Sequence, residues 1–74
     1  MTWLQLAATL PGDTLVQRLT GRTCRVERLT PKGAHLVPLQ PQRWSKGFRQ
    51  GFHVDSKEIV EFWQRSYGDR NGQR

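Results

Sequence analysis

Cys24-Arg25-Val26-Glu27-Arg28-Leu29-Thr30-Pro31-Lys32-Gly33-Ala34-His35-Leu36-Val37-Pro38-Leu39 places two runs suited to β-strands on either side of a four-residue turn, Thr30-Pro31-Lys32-Gly33. Pro31 presets φ for the first central turn position, and Gly33 suits the exit. Cys24, Val26 and Leu29 on one side and Leu36, Val37 and Leu39 on the other are mixed with charge, as in half-buried strands. The stretch predicts a hairpin that organises a small sheet. It carries no reactive constellation, so it bears on architecture and not on chemistry.

The flanking sequence extends that sheet. Asp13 to Thr20, with Leu15, Val16 and Leu19 apolar, reads as a preceding strand, and Thr20-Gly21-Arg22-Thr23 as a short turn in which Gly21 is able to take a positive φ. Cys24 to Leu29 and Ala34 to Leu39 are the next two strands, so two tight turns in succession imply an antiparallel meander. Gln40 to Gly47 breaks the pattern, because Pro38 and Pro41 bracket a polar stretch that excludes a central strand. Arg49 to Val54 supplies a candidate fourth strand.

Helices are expected at the two ends. Trp3, Leu6, Ala7 and Leu10 fall on one helical face, Thr2 and Gln5 have the spacing of a capping box, and Pro11-Gly12 ends the run. Two turns are marginal alone, so this helix must dock on the sheet; an extended N-terminal arm is the competing reading. Asp55-Ser56-Lys57-Glu58 has a second capping-box spacing. Ile59, Val60, Trp63 and Tyr67 then share a face, with Gly68 at the C-terminal cap position. The alternative for this segment is one helical turn over Asp55 to Glu58 followed by a final strand from Ile59 to Trp63. Residues 69–74 contain no apolar residue and are expected to form a disordered basic tail. The expected fold is mainly β (α+β), a small antiparallel barrel or meander of three to five strands with a short helix at each end, forming a single domain over residues 1–68.

Pro11-Gly12-Asp13-Thr14-Leu15 entering a strand, Gly21 at the next turn, Val26 in the following strand and Gly33 at a hairpin resemble the SH3-like small barrels of the Tudor and KOW kind. The resemblance covers Pro11 to Trp63 and rests on turn glycines and spacing. Leu29-Thr30-Pro31-Lys32-Gly33 is also similar to a hairpin of the type II dihydrofolate reductases, which are tetramers of such barrels. Their Val-Gln-Ile-Tyr strand is replaced here by Gly51-Phe52-His53-Val54, so their catalytic surface is not carried over. The helix–sheet–helix order resembles double-stranded-RNA-binding domains as well, although their lysine-rich start to the second helix is reduced to Lys57. A shared fold does not carry function with it.

Charge is the strongest functional signal. Of the 74 residues, 12 are Lys or Arg, nine of them arginine, against 6 Asp or Glu, for a net charge of +6. Such a field attracts nucleic acid, an anionic membrane or an acidic protein, and arginine suits bidentate contact with phosphate. The plain alternative is a small domain that carries excess charge for solubility. Arg43-Trp44-Ser45-Lys46-Gly47-Phe48-Arg49-Gln50-Gly51-Phe52 alternates cations with aromatics. Cations track a phosphate backbone while aromatic rings stack on bases. The competing role for Trp44, Phe48 and Phe52 is core packing, because the chain has few other large side chains. Arg18, Arg22, Arg25 and Arg28 form a second group around the first turn. Arg18 and Arg25 are expected there as cross-strand neighbours whose repulsion an anion would relieve; the alternative is a solvated face with Glu27 as counter-charge.

Catalysis is not expected. Cys24 sits within a strand beside Val26, and His35 and His53 lie on separate segments without clustered carboxylates. One Cys and two dispersed His match no zinc spacing, and Lys46-Gly47 does not make a phosphate loop. No cofactor is expected. The single cysteine requires no oxidising compartment, Met1 to Leu10 does not read as a signal peptide, and no apolar run approaches a bilayer span. Neither candidate helix has a markedly basic polar face that would suit a membrane surface. The chain reads as a cytoplasmic, non-enzymatic nucleic-acid-binding protein. Arg18, Arg22, Arg25, Arg28, Arg43, Lys46 and Arg49 would contact phosphate, and Trp44 and Phe48 would stack. The alternative is a regulatory interaction module docking on an acidic protein, with Trp44, Phe48 and Phe52 lining its groove.

Overall fold

The hairpin forms where the turn chemistry places it. In the computed structural model, which describes residues 1–66, its arms are β2 (Thr23–Thr30) and β3 (Gly33–Pro38). Thr30 and Gly33 are paired across the turn, and Thr30 Oγ1 accepts from the Gly33 amide at 3.0 Å. Cys24, Val26, Ala34 and Leu36 turn inward while Arg25, Glu27 and Arg28 stay exposed. A register shift between Val26 and Arg28 marks a bulge in β2.

β1 (Thr14–Gln17) and β4 (Phe52–Asp55) flank this hairpin, and β5 (Trp63–Arg65) returns to pair with β1, giving one antiparallel sheet in the order β4-β3-β2-β1-β5. β1 is shorter than its sequence suggests. Arg18 to Thr20 belong to the following turn, where the Gly21 amide donates to Gln17 O at 2.8 Å and Gly21 has φ +74°.

α1 (Trp3–Ala7) carries the expected capping box: Thr2 Oγ1 accepts from the Gln5 amide at 3.0 Å, and the Thr2 amide donates to Gln5 Oε1 at 2.9 Å. Its packing differs from expectation. Trp3 and Leu10 are exposed, and Met1 and Leu6 supply the partial burial against the core. α1 rests beside α2 (Ser56–Phe62), and the Met1 amino group donates to Val60 O and Trp63 O at 2.9 and 2.8 Å.

The C-terminal segment combines the two sequence readings and corrects both. α2 ends at Phe62, and Trp63 is extended at φ −122°, ψ 158°. The sheet overrides the helical period. The outer edge of β1 needs backbone partners, and β5 supplies them through the Gln17–Trp63, Val16–Gln64 and Leu15–Arg65 pairs. Asp55 makes no capping bond to α2. The Lys32 carbonyl accepts from the Ser56 amide at 2.7 Å and from Ser56 Oγ at 3.0 Å, fastening the start of α2 to the β2–β3 turn. Tyr67, Gly68 and the expected tail lie outside the described residues.

The core is Leu15, Cys24, Val26, Ala34, Leu36, Trp44, Val54, Ile59 and Trp63. Among the described residues no helix is long and apolar enough to cross a membrane.

Candidate nucleic-acid interface

The loop between β3 and β4 gathers most of the cation-and-aromatic stretch. Pro38 and Pro41 end the strand, and two single 3₁₀ turns follow, Pro41–Arg43 and Lys46–Phe48. Between them Trp44 turns inward and is only 8% exposed. Its ring lies parallel to Trp63, with centroids 6.5 Å apart and an interplanar angle of 8°, and 5.1 Å from Phe52. Phe48 meets Phe52 edge-on at 5.3 Å yet remains 47% exposed. Trp44 is therefore the anchor of the loop and has no open face for a base, which corrects the expectation that it stacks on a ligand. It also packs with Phe48 and Phe52, the rings expected to line a groove with it, at centroid distances of 6.3 and 5.1 Å.

Four cations lie on the loop or against its anchor. Arg22, on the β1–β2 turn, sits 5.2 Å from the Trp44 ring centroid, a cation–π contact worth about 0.5–2 kcal/mol. Arg49 Nε donates to Trp44 O at 2.9 Å, and Arg43 Nη1 donates to Gln40 Oε1 at 3.3 Å. Lys46 is exposed between them. No Asp or Glu occurs in the sequence between Glu27 and Asp55, and among the described residues none of these four cations has a carboxylate at ion-pair distance. The loop thus offers uncompensated positive charge with a partly exposed phenyl ring in its midst.

The second arginine group is not brought together. Arg18 lies past the end of β1, its amide donating to Phe62 O at 2.8 Å and its Nη1 to Glu61 O at 3.4 Å. Arg25 is paired with Thr14 and Val37, so the expected Arg18–Arg25 neighbourhood does not form; the shortened β1 puts Arg18 in the turn instead. Arg28 is opposite His35 and 3.4 Å from Glu27 Oε1, which offsets its charge. Arg25 and Arg28 lie on the outer face of the sheet, apart from Arg22 at the loop.

One arrangement escaped the sequence reading. His35 and His53 are direct cross-strand partners, with Glu27 Oε1 3.5 Å from His35 Nε2, Asp55 Oδ1 3.8 Å from His53 Nδ1 and Thr30 Oγ1 2.9 Å from His53 Nε2. The histidines do have carboxylates beside them. Only the β3–β4 register reveals this, and an irregular connection leaves that register unreadable from sequence. Among the described residues no group of three or more His, Cys, Asp or Glu side chains is placed to hold a metal ion. Cys24 is sealed in the core, where burial pushes its thiol up from 9.0 to about 12 and leaves it unreactive at neutral pH.

No family model, no curated protein and no solved structure matches this chain.

Proposed function

We propose that the protein is a small, cytoplasmic, non-enzymatic binder of single-stranded nucleic acid, and that the β3–β4 loop with Arg22 is its contact surface. The observation that carries this reading is the acid-free loop holding Arg43, Lys46 and Arg49, with Arg22 of the β1–β2 turn over the ring of its buried tryptophan, while Phe48 stays half exposed. The cations would hold phosphates, and Phe48 would offer a ring edge or face to one base, a contact worth about 1–3 kcal/mol. A single strand suits this surface better than a duplex, because only unpaired bases present free faces to a phenyl ring. The cytoplasmic assignment rests on a buried free thiol that calls for no oxidising compartment.

The same reading takes the sheet as an SH3-like small barrel. Four strands run as a meander, and the fifth returns to the first after a short helix. Barrels of that kind commonly present their loops to ligands, and the longest loop here is the basic one.

Fluorescence anisotropy with a labelled single-stranded oligonucleotide tests the function. With three to four phosphates neutralised, the single-strand slope of about −0.7 per phosphate predicts a loss of affinity of roughly 20- to 50-fold between about 50 and 200 mM salt. Absence of binding at the lower salt would remove the proposal. A second reading, a regulatory module docking on an acidic protein, is favoured by a different observation: Trp3, Leu4, Leu19 and Phe62 are exposed. Partners that survive nuclease treatment in an affinity capture, with no oligonucleotide binding, would favour it.

A further inference from the structure

Away from the basic loop, a cavity of about 280 Å³ opens where α1, the end of β1 and β5 meet, lined by Met1, Gln5, Arg18, Gln64 and Arg65. Its chemistry is one-sided. Two of its five lining residues carry guanidinium groups, two carry amides and none is acidic. Arg65 has a side chain only 16% exposed and is held by Asp13 Oδ2 at 3.6 Å, a long pair. Its Nε is buried with no acceptor among the described residues. A guanidinium carries five donors, so one distant carboxylate leaves most of that capacity unused. Arg18 spends one nitrogen on Glu61 O at 3.4 Å, also a long contact. The Arg65 Nε has no accessible surface and is not reached from the cavity, but two guanidinium groups on the walls of one cavity offer their remaining charged donors to an acceptor placed there.

The geometry points to this cavity as a binding site for a phosphate group. Phosphate presents several acceptor oxygens, matches the planar fork of arginine and carries the charge that two cations, one of them partly offset by Asp13, leave uncompensated. The volume exceeds that of a lone phosphate, leaving room for the group to which it is esterified. Gln64 adds an amide group capable of polar contact with the ester. The site is separate from the β3–β4 loop and stands whether or not that loop binds nucleic acid. The phosphate belongs either to a free anion or to the end of a nucleic-acid strand.

Thermal unfolding in inorganic phosphate, against sodium chloride at equal ionic strength, tests the site. Phosphate at ten times its dissociation constant should raise Tm by about 5 °C or more over the chloride control. Arg18→Gln, at an exposed turn position, should keep the fold by circular dichroism and lose that rise, and Arg65→Lys, which keeps the charge beside Asp13 but not the fork, should reduce it. Combined Arg43→Gln and Lys46→Gln should leave it intact, which separates this site from the loop. A 5′-phosphorylated oligonucleotide that competes with phosphate where its 5′-hydroxyl twin does not would identify a strand end as the source. Competition by neither oligonucleotide would identify the free anion. Equal Tm values in phosphate and chloride, or a rise that survives Arg18→Gln unchanged, would overturn the assignment.

Discussion

Single side chains account for much of what holds this small sheet together. Gly33 was legible as a turn residue, but its deeper constraint comes from a strand remote in sequence. A Cβ there would lie 2.9 Å from both Asp55 Cα and Ser56 N, backbone atoms that cannot step aside singly. Gly33→Ala is expected to cost about 1–3 kcal/mol, measured as a lower midpoint in urea denaturation. Cys24 gives a pH signature. Because burial holds its folded-state pKa near 12 against an ordinary 9.0, the unfolded chain loses this proton first as pH rises. The associated stability is whole below pH 9.0 and declines between 9.0 and about 12, by up to roughly 1.4 kcal/mol per pH unit. Cys24→Ala should flatten that alkaline slope whatever it does to stability at neutral pH, and an unchanged slope would show that the thiol does not titrate with unfolding. The inward position of Cys24 could be read from its neighbours in the strand; the inward turn of Trp44 could not. A tryptophan flanked by arginine and serine in a loop carries no period, and the rings it packs on, Trp63 and Phe52, fix its direction.

At the scale of elements, the N-terminal cap, the hairpin and its flanking strands were legible because each rests on local chemistry: a capping box, a Pro-Lys turn, alternation. Thr2→Ala should cost about 1 kcal/mol if the capping box holds α1, read from the urea midpoint. The C-terminal segment shows where local reasoning stops. Ile59, Val60 and Trp63 fit a helical face, yet the unpaired edge of β1 draws Trp63 to Arg65 into a strand. Trp63 then serves twice, pairing with Gln17 through its backbone and packing on Trp44 through its indole. Trp63→Ala is therefore expected to remove about 3–5 kcal/mol, enough to unfold much of a domain this small, with loss of the near-ultraviolet circular dichroism of the stacked indoles. A stable variant with an unchanged aromatic signal would contradict this packing.

At the scale of the whole molecule, the sign of the charge was plain from composition, but its placement was not. The sequence suggested two basic groups; the fold keeps one of them at the loop, offsets Arg28 with Glu27 and sends Arg18 to the cavity beside β5. Carboxylates cluster elsewhere, with Asp55, Glu58 and Glu61 in and beside α2. The charge asymmetry follows the division between the β3–β4 loop and the C-terminal helix, and this is what makes a directional polyanion contact physically reasonable. Phe48→Ala is expected to weaken single-strand binding about tenfold while leaving its salt dependence unchanged, since it removes stacking and no phosphate contact. Combined Arg43→Gln and Lys46→Gln should instead lower the salt slope by about 1.4, seen in the same anisotropy titrations.

Backbone amide resonances, followed as an unlabelled single-stranded oligonucleotide is added at low salt, measure the site most directly. Shifts concentrated on Arg22 and residues 39–51 are expected, with the amides of α2 essentially unmoved. Shifts confined to α2, or none anywhere at saturating oligonucleotide, would contradict this assignment of the site.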